Sequence, residues 1–306
     1  MASRILGTRE IPSEYWDAAQ LVGRTPFMAS MFDVRAHASY CMYVPTQHYA
    51  LPRGEDASYG KMPLIVTVHG SGRRAERARE ALVELADRTG AAVLAPLFPA
   101  GVGGDPNDSH NYKGLAYGGI RYDLVLLAML DEVSSRWPGV DIEKIFLVGF
   151  SGGGQFVLRF FYLHPERVAA LSVGAPGVVT QLNDGLAWPK GIQGVEEVFG
   201  GLKVNLSALR AVEHVQLIVG GNDIEEVGGG LLRWWREKSG GSDAVSRALG
   251  PSKLPNRKDA LESLHREFQE AGIHSSFVVV DGAGHEHMKV IPKVIEVLEP
   301  LLRPRV

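Results

Sequence analysis

VGFSGGGQ, at residues 148–155, is the most informative stretch of this sequence. The apolar run Ile145–Val148 leads into it and reads as a buried strand, and the apolar run Gln155–Leu163 after it reads as a buried helix. Ser151 therefore lies in a Gly-x-Ser-x-Gly pattern where a strand turns sharply into a helix. Glycines are needed beside such a serine because Cβ atoms would collide with the adjoining strand and helix. The stretch predicts a nucleophile elbow, with the Ser151 hydroxyl exposed at the start of a helix.

Gly-x-Ser-x-Gly alone is weak evidence for a nucleophile. The chain contains 36 glycines, and the stretch GGSDA at residues 240–244 shows how readily near matches arise. The alternative interpretation is a glycine-rich turn without chemistry. The strand before Ser151, the helix after it and the partners described below favour the nucleophile.

Composition indicates an ordinary globular protein. The 306 residues are 45% hydrophobic and 22% charged, and we expect a single α/β domain over residues 1–306. A formal net charge of −3 gives no sign of a nucleic-acid partner. Cys41 is the only cysteine, and the sequence shows neither an apolar leader nor an apolar run long enough to span a membrane. These features predict a cytoplasmic protein without a membrane span and leave its oligomeric state open.

Apolar, strand-like runs alternate with helix-like segments from about residue 62 onward. This alternation predicts an α/β fold with a mostly parallel central sheet and helices on both faces. Irregular inserts at about 178–209 and 224–255 follow the sixth and seventh strands and are expected to form a partial lid. Residues 31–44 are expected to hold one or two edge strands. The expected strands are 63–68, 91–97, 145–148, 168–173, 215–219 and 276–280, and the expected helices are 75–89, 122–136, 155–163, 256–272 and one at the C-terminus.

Two further residues fall where partners of Ser151 are needed. A free serine is a weak nucleophile and requires a base, and the base requires an acidic partner that fixes its tautomer. His285 follows the last expected strand, and Asp223 follows the strand before it. The carboxyl ends of parallel strands lie along one edge of a sheet, so all three side chains can converge. The chain order serine, aspartate, histidine is also the order of the α/β-hydrolase triad.

Each partner has an alternative. His287 is a rival base, and Glu225 and Glu226 are rival acids. Asp223 also fits a plain Asn-Asp turn. His285 and His287 would supply half of a metal site, but no third ligand has suitable spacing. We therefore expect neither a metal nor a cofactor.

An oxyanion hole needs two backbone N–H donors held in place. Gly152, directly after the nucleophile, is expected to supply one, and Ser71, in the turn after the first buried strand, the other. Polar residues around that turn and aromatic residues of the inserts are candidates for substrate contacts, although the tryptophans can equally pack the inserts onto the core. These candidates are His69, His110, Tyr112, Trp188 and Trp234.

With these motifs the chain resembles the α/β-hydrolase superfamily of serine hydrolases, over roughly residues 62–300. It is most similar to the esterase and polyhydroxybutyrate-depolymerase-like group, through VHGSG at residues 68–72 and GFSGG at residues 149–153. It departs from the hormone-sensitive-lipase type, which has three glycines in a row near the oxyanion hole. It also lacks the secretion signal and disulfides common in extracellular depolymerases, which argues against a polymer substrate.

The resemblance implies hydrolysis of a carboxylic ester of a small organic molecule through an acyl-serine intermediate. The same triad also serves amide, lactone and C–C hydrolases and acyl transferases, and the sequence does not separate these activities. A non-hydrolytic protein of this fold that binds or isomerises a ligand is the alternative from another class. An intact triad argues against it.

Overall fold

The computed structural model describes residues 5–49, 61–104, 108, 110–224 and 256–302. The strands are β1 (Gly23–Arg24), β2 (Met28–Ala29), β3 (Ser39–Val44), β4 (Leu64–Val68), β5 (Ala92–Leu97), β6 (Ala116–Tyr117), β7 (Ile120–Arg121), β8 (Ile145–Phe150), β9 (Val168–Gly174), β10 (His214–Gly220) and β11 (Ser275–Val280). The helices are α1 (Thr46–Tyr49), α2 (Ala75–Glu80), α3 (Val83–Thr89), α4 (Tyr122–Arg136), α5 (Gly152–Leu163), α6 (Val195–Val198), α7 (Leu206–Arg210), α8 (Arg257–Glu270) and α9 (His287–Leu302). Short 3₁₀ turns occupy Ser13–Tyr15, Val34–Ala36, Val102–Gly104, Asn111–Gly114 and Pro165–Arg167.

The central sheet has the strand order β1-β3-β5-β4-β8-β9-β10-β11, and β2 also pairs with β3. Strands β4, β5, β8, β9, β10 and β11 run parallel to their neighbours in this group, whereas β3 is antiparallel to β5 and to both β1 and β2. The mostly parallel α/β sheet predicted from the alternating pattern is confirmed.

Helices cover both faces of this sheet, because successive strand residues point to opposite sides. Gly149 of β8 faces α5, since a Cβ atom there would overlap the carbonyl oxygen of Gly153. The preceding residue, Val148, lies beside Val290 and Val294 of α9. Helices α5 and α9 are therefore on opposite faces. Helix α8 packs with α5 through aromatic side chains, and α3 packs against α9.

Two expected elements differ from the structure. Residues 31–44 contribute one strand, β3, and it lies inside the sheet with β5 on one side and β1 and β2 on the other. The outer strands have only two residues each, too few to leave a periodic pattern. The helix expected at 75–89 is broken into α2 and α3, because Leu82 leaves helical geometry with φ −119° and ψ 1°.

The first insert, residues 178–209, packs on the side of the sheet that carries α5 and α8. Arg159 of α5 donates to the Pro189 carbonyl oxygen at 3.3 Å, and the Leu182 amide donates to a carboxylate oxygen of Glu267 in α8 at 2.9 Å. The second insert, expected at 224–255, lies outside the described residues except for Ile224. Whether either insert acts as a lid stays a prediction. No helix in the described part of the chain combines the length and apolar character needed to cross a membrane.

Candidate active site

Ser151 occupies a strained turn between β8 and α5. Its φ of 57° and ψ of −115° lie in a region that residues with a side chain rarely adopt. The turn is held by a hydrogen bond of 2.8 Å from the Ser151 amide to the Gly174 carbonyl oxygen of β9. A Cβ on Gly149 or Gly153 would overlap backbone carbonyl oxygens of α5 or β4. Glycine is therefore required at both positions for the helix to approach the strands this closely.

Gly153→Ala is expected to destabilise the fold strongly. Its Cβ would overlap the Val68 carbonyl oxygen, a backbone atom of β4 that cannot rotate away, so we expect a loss of about 3 kcal/mol in the free energy of unfolding. Denaturant unfolding measures the change. Gly72→Ala is the matched control, because its Cβ would meet nothing within 4 Å. Equal stability of the two variants would contradict the close approach of α5 to β4.

His285 connects Ser151 with Asp223. Its Nε2 lies 2.9 Å from Ser151 Oγ, and its Nδ1 lies 2.7 Å from Asp223 Oδ2. In the neutral ring, Nδ1–H donates to the carboxylate, and Nε2 accepts the serine hydroxyl proton. The structure thus brings the three predicted residues into hydrogen-bonding distance, although 134 and 62 positions separate His285 from the other two.

Arg257 is a fourth member of this chain of contacts, and the sequence analysis missed it. Its Nη1 donates to Asp223 Oδ1 at 2.6 Å, with both side chains buried. Burial alone would raise the pKa of Asp223, but the hydrogen bond from His285 and the charge of Arg257 outweigh it and hold the pKa below its usual value. Both carboxylate oxygens are thereby engaged, so the side chain is fixed and negatively charged opposite His285.

His287, the rival base, does not take part in these contacts. His287 begins α9 and packs against Phe150 with ring centroids 5.4 Å apart. Burial, with the nearby charge of Arg77, lowers the pKa of His287 to about 4. Glu225 and Glu226 lie outside the described residues.

The two amides expected to form an oxyanion hole lie close together. A Cβ on Gly152 would be 3.1 Å from the Ser71 nitrogen, so the loop after β4 passes directly over the start of α5. Neither amide donates to another described residue. Both N–H groups are therefore without an acceptor among the described residues, as an oxyanion hole requires.

His69 and Tyr112 support this loop, and the expectation that they contact substrate with polar atoms needs correction. His69 is 2% exposed, with Nδ1 2.8 Å from the Gly70 carbonyl oxygen and Nε2 accepting from the Phe98 amide at 3.0 Å. Burial lowers its pKa to about 4, so the ring is neutral. Tyr112 is fully buried and donates its hydroxyl to the His69 carbonyl oxygen at 2.9 Å. Both ring nitrogens of His69 are thus engaged, and the Tyr112 hydroxyl has no proton left to donate to a substrate.

Arg73 holds the same loop from the other side. Its guanidinium donates to the carbonyl oxygens of Phe98 and Ser71 at 2.9 and 3.0 Å and to Asn111 Oδ1 at 3.1 Å. All three acceptors are neutral, so its positive charge is not compensated by any of them. Arg73 both positions the Ser71 peptide and adds positive potential beside the two free amides.

Lys113 is a buried amine next to Gly152 that the sequence analysis did not single out. It is 4% exposed, and a Cβ on Gly152 would lie 2.8 Å from its Cε. Burial, with the charges of Arg73 and Arg159, lowers its pKa to about 8. Its Nζ lies 3.3 Å from Nδ1 of His110, and the proposed contact of His110 with substrate stays a prediction.

Trp188 packs the first insert onto the body of the protein. Its ring meets Phe199 edge-on at 5.0 Å, and its Nε1 donates to the Gly114 carbonyl oxygen at 3.1 Å. These contacts correspond to the packing alternative considered for the tryptophans. Trp234 lies outside the described residues.

A cavity of about 500 Å³ opens beside His285. One side of the cavity is formed by the start of α2 and the loop before it, and the other side by the start of α9 and the loop before it. Its lining includes Phe150, His285, Glu286, His287 and, on the opposite wall, Arg73, Arg74 and Arg77. Across the described residues, no group of three or more histidine, cysteine, aspartate or glutamate side chains is arranged to hold a metal.

Comparison with known proteins gives matches among solved structures. No protein-family model matches the chain, and no curated protein matches its sequence. A poly(3-hydroxybutyrate) depolymerase from Bordetella parapertussis is 19% identical with a TM-score of 0.62, over 95% of this chain and 94% of that one. Poly(aspartic acid) hydrolase-1 from Sphingomonas sp. KT-1 is 17% identical with a TM-score of 0.60, over 85% and 92% of the two chains. An S-formylglutathione hydrolase from Agrobacterium tumefaciens is 14% identical with a TM-score of 0.52, over 87% and 88%.

These similarities establish the fold. The strand order, the mostly parallel sheet and the matched structures show that the chain has the α/β-hydrolase fold, as its motifs predicted.

Proposed function

We propose that this protein is a serine hydrolase that cleaves a carboxylic ester, or a related acyl bond, of a small organic molecule. The observation that carries the proposal is the continuous set of contacts from Ser151 Oγ through His285 to Asp223, at 2.9 and 2.7 Å. The strained backbone of Ser151 supports it, because such strain is typical of residues with a functional constraint. The similar structures include hydrolases of ester and thioester substrates by their names, which agrees with the proposal.

The contacts define a sequence of proton transfers. Ser151 Oγ attacks the acyl carbon while His285 Nε2 takes the hydroxyl proton, and Asp223 stabilises the resulting imidazolium. The amides of Ser71 and Gly152 donate to the oxyanion of the tetrahedral intermediate. The intermediate expels the leaving group, which takes the proton from His285 and leaves an acyl-serine. Water then attacks the acyl carbon and gives a proton to His285. As the bond to Ser151 Oγ breaks, His285 returns this proton to the serine oxygen, which releases the carboxylic acid and restores the free serine. No cofactor is needed for these steps.

The same site can cleave more than one type of bond. Amides, lactones and C–C bonds can follow the same steps, as can transfer of the acyl group to an acceptor other than water. We propose ester hydrolysis because the motifs around Ser71 and Ser151 resemble the esterase group and the neighbouring structures include an esterase by name. We also propose that the chain forms a single domain, that an insert covers the site, and that the protein is cytoplasmic.

The proposal is tested by treating the purified protein with a fluorescent fluorophosphonate while following turnover of p-nitrophenyl acetate and butyrate. A fluorophosphonate reacts with a serine only where a base activates it. We expect labelling to saturate at one probe per chain and ester turnover to fall in parallel with it. The relative rates on the two esters then indicate the size of the acyl site. A protein that neither labels nor turns over either ester would favour the ligand-binding alternative.

A further inference from the structure

Three arginines line the cavity beside His285. Arg73, Arg74 and Arg77 lie on one wall, and none of them pairs with a carboxylate among the described residues. On the other wall, Glu286 is paired with Lys289 at 2.8 Å, so this pair is neutral as a unit. The chain as a whole has a formal net charge of −3. A concentration of uncompensated positive charge in one cavity of an acidic protein attracts anions.

The three arginines differ in what they can do there. Arg73 is held by three neutral acceptors in the loop and supplies a fixed charge. Arg74 and Arg77 are exposed, and each can turn its guanidinium toward a bound molecule. The charge of Arg77 reaches across the cavity, since it contributes to the low pKa of His287. A guanidinium offers paired N–H donors that match the two oxygens of a carboxylate.

The position of the cavity indicates which part of the substrate enters it. Its lining contains His285, which gives its proton to the leaving group in the proposed mechanism. A substrate with its carbonyl oxygen at the Ser71 and Gly152 amides places its leaving group toward His285. The part of the substrate that enters the cavity is therefore the alcohol side of the ester.

We propose that the cavity formed by Arg73, Arg74 and Arg77 opposite His285 binds a carboxylate carried on the alcohol part of the substrate. The enzyme would then prefer esters whose alcohol part bears a carboxylate group. The inference rests on the proposed hydrolase function and narrows its substrate class.

The test uses two acetate esters of similar size. The alcohol part is 4-hydroxybenzoate in one and its neutral methyl ester in the other, and each kcat/KM is divided by the rate of hydroxide-catalysed hydrolysis. We expect the wild-type protein to prefer the anionic ester by about tenfold, and this preference to fall as NaCl is raised because salt screens exposed charges. In Arg74→Gln/Arg77→Gln the preference should fall several-fold, to the part that the charge of Arg73 maintains, while turnover of the neutral ester is retained. Arg9→Gln/Arg266→Gln removes two exposed arginines that do not line the cavity and should keep the preference.

A binding measurement separates this inference from the proposed function. Calorimetry of 4-hydroxybenzoate, the product, requires no turnover, and we expect its Kd to rise about tenfold in Arg74→Gln/Arg77→Gln. Turnover of both esters with no preference in the wild-type protein, or a preference that is undiminished in this variant, would overturn the anion site and leave the hydrolase proposal intact. Failure of both esters and of fluorophosphonate labelling, with 4-hydroxybenzoate still bound through the two arginines, would overturn the hydrolase proposal and leave the anion site.

Discussion

Replacing Ser151 with alanine is expected to lower kcat for ester hydrolysis by about 10,000-fold or more and to abolish labelling by a fluorophosphonate. The substitution removes the hydroxyl that lies 2.9 Å from His285 Nε2. A small residual rate is expected because the Ser71 and Gly152 amides still stabilise an oxyanion. Alanine keeps the Cβ, so the strain at φ 57° and the melting temperature should be nearly unchanged.

Ser71→Ala is the matched control for this prediction. Ser71 is exposed, and the proposed mechanism uses its backbone amide rather than its hydroxyl. Steady-state kinetics on p-nitrophenyl acetate should therefore find most of the wild-type kcat in this variant. More than about a tenth of wild-type activity in Ser151→Ala would rule out Ser151 as the nucleophile.

Asp223→Asn should have an effect of similar size on kcat, about 10,000-fold, and should also reduce stability. Asp223 accepts from His285 on one oxygen and from Arg257 on the other. An asparagine has one oxygen and one NH₂ group, so its NH₂ must face a donor in either orientation. In either orientation the buried guanidinium of Arg257 loses its charged partner. If the NH₂ group faces His285 the imidazole also takes the wrong tautomer, and if it faces Arg257 the guanidinium meets a donor instead of an acceptor. Breaking a buried pair in this way costs about 3–5 kcal/mol.

Arg257→Met separates the loss of kcat from the loss of stability. It removes the cation but leaves Asp223 as the acceptor of His285, so it should lower stability while retaining far more activity than Asp223→Asn. Kinetics and denaturant unfolding of both variants check this pair of expectations. Equal losses of kcat in both would mean that the aspartate is needed only to anchor the arginine.

Much of the fold follows from local sequence, because its central strands are buried on both sides. Parallel strands covered by helices on both faces read as short, continuous apolar runs, and those of β4, β5 and β9 are easily recognised. The elbow is equally local, since Gly149 and Gly153 flank Ser151 in a pattern imposed by backbone contacts. The convergence of Asp223 and His285 followed from one rule, that parallel strands end along the same edge of the sheet.

The features that the sequence did not reveal are contacts between residues that meet only in the folded chain. Arg257 lies 34 positions from Asp223 at the start of a helix, where an arginine gives no local signal of its partner. Lys113 looks like an ordinary loop lysine until the loop brings it beside Gly152. His69 appears available in the sequence, but both of its ring nitrogens are taken by backbone groups. Burial and hydrogen bonds of this kind leave no periodic pattern in the sequence from which they could be predicted.

The most direct test of the account is to map the residue that a fluorophosphonate modifies in the wild-type protein by mass spectrometry of its peptides. We expect one phosphonyl group per chain, on the Ser151 hydroxyl, because His285 and Asp223 activate that serine. A phosphonyl group on a different residue, or complete inhibition of ester turnover while Ser151 stays unmodified, would contradict this prediction.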